Sequence, residues 1–542
     1  MVRFAVIAVA LLSSILSAQD LHVSGKRIRA DVQYLSTDEM AGRGVGTAGE
    51  KLATGYIASQ LQTAGVSPGG DNQTYFQKVP FIGSQLLPSA SLSIQGQSGT
   101  TSLVLQKEYA GIPLSQKPDN DFQAEAVFVG HGISAPELGW DDYKDVDVRG
   151  KVLVYFTNEP PSADPKFFGG PALTYYGRWT YKFEEAARRG AVAALIIHTT
   201  ATAGYGWGVV SSSPETEHPA LKLKAGESGL KFAGWISQDA GKKLTAQTGK
   251  TLDELLALAN QKSFRPIPLR VRVAGHFSVK LRSFESVNVV GRVPGSDPNL
   301  RSQTVLFTAH WDHLGIGAPV NGDSVYNGAQ DNATGCAVVL EMARVWAGLP
   351  EKPKRSAEFV FVTAEESGLL GSEYYGEHPQ TPAGRIAADL NFDEFFPFGK
   401  TRDVFVTGAE RTTLWPLVQR DAKRLSLTIA PDAEPGQGHY YRSDHFSLAR
   451  VGIPAFSISQ GADYIGKPAG FGQQVLKEFN EKHYHQPSDE YHEDWDFSGM
   501  EQIAEFGLTL GLDIANQPSL PTWRSGDEFL KAREASGAPG AQ

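Results

Sequence analysis

The sequence predicts an α/β fold: a mixed, mostly parallel sheet flanked by helices, interrupted by a β-rich insertion. Three observations predict it. From about residue 285 onward, short apolar runs of strand length alternate with helix-length segments. Between roughly 80 and 275 the texture changes to short apolar runs separated by turn signals. The length, 542 residues, exceeds what one hydrophobic core holds. The expected organisation is a leader at 1–18, a first part of the main domain at 19–80, the insertion at 81–275, the rest of the main domain at 276–520 and a tail at 521–542.

At the N-terminus, Arg3 precedes an apolar run over 4–12, and Ser17-Ala18 offers a small-residue cleavage site. The run is too short to span a bilayer and fits a secretory signal peptide. The expectation is an exported chain, periplasmic or extracellular, with no stable membrane association after signal removal. Residues 26–65 read as helical, because Leu35, Ala53, Tyr56, Ile57, Leu61 and Ala64 recur at helical spacing and Gly65 closes the second segment. The glycine-rich stretch 41–47 between them lacks the lysine and Ser/Thr that a phosphate loop needs. In the insertion, 124–129, 152–156, 191–197 and 269–273 read as strands, and 184–189 as a helix feeding one of them. In the main domain the strands are 304–309, 357–363, 387–391 and 453–459, and the helices 335–346, 413–424 and 500–514. Pro518 and Pro521 open the tail, and its polar end, 535–542, is expected to be loosely ordered.

A net charge of −10 leaves no basic footprint for nucleic acid. The mean hydropathy of −0.25 excludes a polytopic membrane protein. A single cysteine, Cys336, rules out an intrachain disulfide, and its place at a helix start reads as a small buried residue.

The chemistry-bearing residues stand where strands or helices begin or end. His310 follows the strand 304–309, and functional groups collect at strand C-terminal ends in open α/β sheets. Asp312, two residues on, can accept its second N–H, which favours His310 over the rival His313 as a metal ligand. Asp331 precedes an apolar helix, where it reads either as an N-cap or as a carboxylate bridging two cations. Glu365 and Glu366 end a buried strand, where adjacent carboxylates are costly without cations or hydrogen bonds. In extended backbone they point opposite ways, so Glu366 is assigned to metal and Glu365 to proton transfer. Asp393, followed by Glu394, ends the strand 387–391. His485 lies in a loop shaped by Pro487, with Asp489 as its support and His483 as the alternative ligand. Two imidazoles, three carboxylates and one free acid are what two divalent metals and a general base require. Two other patterns are set aside. Gly65-Val66-Ser67-Pro68-Gly69 lacks the strand before it and helix after it that a serine nucleophile needs, and Ser443, Asp444 and His445 are triad residue types, but neighbours in sequence rarely form a triad.

The segments AHWDHLGIG, GAQDNATG, TAEESGLLGS, NFDEF, RSDHFSLARVGIPA and YHQPSDEYH, in this order, resemble the co-catalytic zinc aminopeptidases of metallopeptidase family twenty-eight. The resemblance covers most of 26–80 and 280–515. It implies a zinc exopeptidase-type fold holding two Zn2+, with His310, Asp331, Glu366, Asp393 and His485 as metal ligands and Asp331 bridging. It also implies Glu365 as general base, Asp312 as the acid orienting the histidine, a cis peptide between Asp331 and Asn332, and peptide substrates. Many relatives have Asp where Gln330 stands. The insertion, above all VFVGHGISAPELGWDDYKDVDVRGKVLVYF, resembles a protease-associated domain. The expected activity is removal of N-terminal residues. Its rivals are a carboxypeptidase on the same metal core, with Arg442 and Lys467 as possible carboxylate binders, a one-zinc glutaminyl cyclase, and a catalytically dead binding protein.

Overall fold

The computed structural model describes residues 21–97, 99–164, 166–203, 206–211 and 217–538. The expected signal peptide and the last four residues of the tail lie outside them. Among the described residues no helix is long and apolar enough to cross a membrane.

The larger sheet has ten strands. At its centre Ser356–Val362, Thr304–His310, Ile386–Asn391 and Ala455–Gln460 run side by side and parallel. The first three of these strands are buried along their whole length. This is why they read as continuous apolar runs rather than alternating ones. One flank adds Asp403–Thr407, antiparallel, and Thr428–Ala430. The other adds Val279–Val293, Phe76–Leu86 and His218–Leu221, all antiparallel. The observed sheet is thus mixed with a parallel centre. Phe76–Leu86 runs through the expected 80/81 boundary, and His218–Leu221 belongs to this sheet although it lies within 81–275.

Helices cover both faces. Thr334–Gly348, Ser498–Asn516, Gly25–Leu35 and Ala48–Thr63 bury one face, around Phe307, Phe359, Trp346 and Met342. The other face is closed by Leu370–Glu377, His445–Arg450 and the segment after 520. That segment is built in: the Trp523 indole donates to the Gly452 carbonyl at 3.0 Å. The buried Arg533 guanidinium donates to the carbonyls of Ala383, Ile386 and Pro521.

A second sheet of eight strands occupies 91–276. Its centre, Phe122–Phe128, Val152–Phe156, Ala193–Ile197 and Phe232–Ile236, is parallel. Apolar clusters lie on both of its faces, beneath helices that include Trp179–Arg188 and Leu252–Ala259. Strands Phe76–Leu86 and Val279–Val293 frame this unit, and Leu86 stands opposite Val279 in the ladder. It leans on the main domain through Arg450 and Glu184, 3.2 Å apart, and through the Tyr175 and Phe446 rings.

Inside this unit His131 is buried between the Thr157 carbonyl and the Asn260 amide. Burial, helped by the charge of Lys182, pushes its imidazole down to about 4. A depressed histidine is neutral when folded and takes up a proton when unfolded, so the unfolded chain binds more protons between pH 6.5 and 4. Stability is therefore expected to fall with pH across that window, by up to about 1.4 kcal/mol per pH unit from this residue. Thermal melts should show a shallower acid slope in His131→Gln than in the unaltered chain.

Candidate metal centre

The site forms at the C-terminal ends of three neighbouring parallel strands. Thr304–His310 ends on His310, Ile386–Asn391 leads to Asp393, and Ser356–Val362 leads to Glu365 and Glu366. Asp331 enters from the loop before Thr334–Gly348, and His485 from the loop after Phe471–Lys482. The five side chains converge. His310 Nε2 lies 3.3 Å from Asp331 Oδ1 and 3.1 Å from Asp393 Oδ1. His485 Nε2 lies 3.4 Å from Asp331 Oδ2 and 2.9 Å from Glu366 Oε2. Asp331 thus turns one oxygen to each imidazole.

The donor set fits divalent cations. Ligand atoms of His310, Asp331 and Glu366 all lie within 4.8 Å of one another. His485 Nε2 is buried beside two carboxylates without making a well-formed hydrogen bond to either. The electrostatics agree. Burial alone would lower His310, but Asp393 and Glu365 hold its imidazole well above the ordinary range. Burial likewise opposes, and Glu366 and Asp331 outweigh it, so that His485 is raised to about 11. Against the cost of burial, the imidazole contacts hold Asp331 well below the ordinary carboxylate range. A pocket of this charge attracts cations.

The neighbours hold these groups in place. Asp312 meets His310 through its main chain: His310 Nδ1 donates to the Asp312 carbonyl at 3.1 Å, while the carboxylate is 3.9 Å away. The Asp312 carboxylate instead accepts from Glu365 N–H at 3.1 Å. The sequence predicts the orienting contact from the Asp312 side chain, and the structure has the Asp312 main-chain carbonyl make it instead. Asp489 was expected to support His485; its two oxygens accept from the N–H groups of Gln330 and Asp331, at 2.9 and 3.0 Å. Glu365 and Glu366 do not lie in extended backbone. Ala364 has φ of 54° and the chain turns there, which separates the two carboxylates by another route. His313, the rival to His310, sits 2.6 Å from Glu366 Oε1. His483 pairs with Ser488 outside the cluster. The Asp331–Asn332 peptide is cis, as the resemblance implied. Cys336 is buried, and its thiol contacts the His310 carbonyl.

Three contributors escaped the sequence reading. Ser443 donates to Asp393 Oδ2 at 2.6 Å and accepts from the Asn391 amide at 2.7 Å. Asn332 Oδ1 accepts from Gly335 N and Glu394 N. Arg43, in the glycine-rich loop 41–47, is fully buried, and its guanidinium donates to the carbonyls of Leu35, Trp311, Asn327 and Gly328. It ties the first helices to the loop after His310 and to the loop before Asp331. Its glycines are required by contact: a Cβ on Gly42, at φ +61°, would meet the Gly315 carbonyl at 2.4 Å. Arg43→Ala strands those carbonyls and is expected to cost at least about 3 kcal/mol, since each buried unsatisfied group costs about 1–3 kcal/mol. Urea unfolding measures it, and an unchanged midpoint would contradict this role.

Residues 288–508 match peptidase family M28. The leupeptin-inactivating enzyme 1 of Streptomyces exfoliatus is 29% identical over 197 residues, 35% of this chain and 41% of that protein. Aminopeptidase YwaD of Bacillus subtilis (strain 168) is 24% identical over 340 residues, 61% of this chain and 58% of that protein. The chain thus spans between two-fifths and three-fifths of the length of these two relatives. The aminopeptidase from Aneurinibacillus sp. strain AM-1 shares the fold, with a TM-score of 0.51 and 20% identity over 92% of this chain and 95% of its own. All five converging side chains, together with Glu365, fall inside the matched segment, and residues 288–508 of this chain are a peptidase family M28 domain.

Proposed function

We propose that this chain is a zinc-dependent exopeptidase that removes N-terminal residues from peptides. Two metal ions would be held by His310, Asp331, Glu366, Asp393 and His485. The observation that carries the reading is Asp331, whose two oxygens face different imidazoles at 3.3 and 3.4 Å. This arrangement suits a carboxylate shared by a pair of cations. Its partners sort accordingly, His310 and Asp393 on one side, Glu366 and His485 on the other.

Bound zinc supplies Lewis-acid polarisation of the scissile carbonyl and acidification of water. The chain's own residues do the rest. Glu365, the carboxylate left over from ligation, takes the proton of the attacking water and returns it to the leaving amine. The Asp312 carboxylate fixes the Glu365 backbone. Ser443 and Asp489 hold Asp393 and Asp331 in their ligating orientations. The N-terminal pattern around Arg3 and Ala18 supports export to the periplasm or beyond. The separate eight-stranded sheet supports reading the insertion as a protease-associated domain.

A carboxypeptidase on the same core has one observation in its favour. Arg178 from the inserted unit and Arg442 from the main domain line one cleft of about 130 Å3, where a terminal carboxylate could dock. Hydrolysis of a panel of aminoacyl-nitroanilides, set beside N-blocked dipeptides with a free carboxylate, separates the two. Metal analysis of the same sample should give close to two zinc ions per chain. Turnover of the blocked dipeptides alone would overturn the aminopeptidase reading. One zinc with cyclisation of N-terminal glutamine would point to a cyclase, and neither metal nor turnover to a binding protein.

A further inference from the structure

Removal of N-terminal residues leaves one charged cleft without a task. It lies between the inserted unit and the main domain, with a volume of about 130 Å3. Asn158, Arg178 and Trp179 line it from the inserted unit, Gln437 and Arg442 from the main domain. No carboxylate side chain stands among the described residues that line it. Arg442 makes no ion pair with any described residue. Its guanidinium donates through Nη2 to the Gln437 carbonyl at 2.8 Å, which holds it on the cleft wall. A guanidinium carries five N–H donors, so most of them remain for a ligand.

The opposite wall adds a helix start. Trp179–Arg188 begins at Arg178, and no side chain caps it. The first N–H groups of such a helix carry partial positive charge and favour an anion. This wall is fixed from behind. The buried Lys182 donates to the carbonyls of Asn158 and Tyr176 at 2.9 and 2.6 Å, and Asn158 N–H donates to the Gly177 carbonyl at 2.9 Å. Glu159, the acid beside Asn158, is turned to Thr174, whose N–H at 2.8 Å and hydroxyl both donate to it. The two walls meet where Leu173 N–H donates to the Pro435 carbonyl at 3.1 Å.

Two arginines and a helix start brought to one cleft repel each other unless a counter-charge lies between them. Guanidinium forks match the paired oxygens of carboxylates and phosphates. We propose that this cleft binds a small oxyanion, held across the seam by Arg178 and Arg442. The same chemistry has two sources, a free tetrahedral anion and the C-terminal carboxylate of a peptide. The site stands whichever end of a peptide the metal centre attacks.

Calorimetric titration of the zinc-loaded full chain, in chloride at constant ionic strength, tests it. One probe is sodium sulfate; the other is N-acetylglycylglycine, set beside its C-terminal amide. At least one of the two anions is expected to bind with a Kd on the order of 1 mM or tighter. A hydrogen bond to a charged group gives about 10- to 100-fold in affinity, so the amide should bind at least about tenfold more weakly than the acid wherever the acid binds. Arg442→Gln and Arg178→Gln, made separately, should each weaken the bound anion by a similar factor. Sulfate bound alone supports the site and assigns it to a free anion; the blocked acid bound alone supports it and assigns it to a peptide carboxylate. Binding of neither anion overturns the proposal. So does binding that persists unchanged in both variants, which places the anion on the metals, or an amide bound as tightly as the acid with no binding of sulfate.

Discussion

Glu365→Ala is expected to lower kcat by at least about 10²-fold while both metals stay bound, general acid–base catalysis by one positioned side chain contributing about 10²–10⁴-fold. The structure separates this residue from the ligands. Glu366, its neighbour, is contacted by His313 and His485, while among the described residues no hydrogen bond or ion pair joins the Glu365 carboxyl to either imidazole. Its main chain is anchored instead: the N–H donates to Asp312, and the carbonyl accepts from Gly368 and Leu369 at 2.8 and 2.9 Å. Burial, opposed by His310 and reinforced by Glu366 and Asp393, holds the carboxyl well above the ordinary range. An elevated pKa suits a group that must accept a proton and then give it up. Steady-state kinetics paired with zinc analysis decide the matter. Near-normal turnover would remove Glu365 from its role, and lost zinc would make it a ligand.

Asp331→Ala should have the larger effect, since it removes the carboxylate whose two oxygens face the two halves of the cluster. Zinc content is expected to fall below two per chain. Activity should fall by more than the roughly 10–100-fold typical of losing a residue that only supports a ligand. Chelation of the unaltered chain should act on stability in the same direction. Metal bound only by the folded state at about 1,000 times its Kd stabilises by about 4 kcal/mol, and chelator abolishes that gain. Scanning calorimetry with and without chelator measures it. A variant retaining two zinc ions would show that Asp331 is an N-cap and no bridge.

The parts legible in the sequence share a physical reason. Thr304–His310, Ser356–Val362 and Ile386–Asn391 lie in the parallel centre, where burial on both faces forces apolar runs that need no partner to be recognised. Their ends carry His310, Glu366 and Asp393, so most of the cluster came with them. What stayed hidden depends on partners far along the chain. Phe76–Leu86 pairs with Val279–Val293 across about two hundred residues, and its half-buried pattern takes meaning only from that pairing. Arg43 resembles any loop arginine until Leu35, Trp311, Asn327 and Gly328 surround it. The bend at Ala364 carries no glycine to announce it. Ser443 shows in the sequence only a false triad with its neighbours, and its contact with Asp393 exists only in the fold.

Because Leu86 faces Val279, the chain leaves the larger sheet and returns to it through a doorway one strand spacing wide, about 4.8 Å. The inserted unit hangs from a stem rather than from two independent tethers. Residues gained or lost inside it leave the ladder below in step, and with it the strands whose ends carry His310, Glu366 and Asp393. The scaffold can therefore carry appendages of different size and recognition without re-tuning its reaction centre, provided that His218–Leu221 keeps its place in the larger sheet and the seam at Arg450 and Tyr175 is refitted.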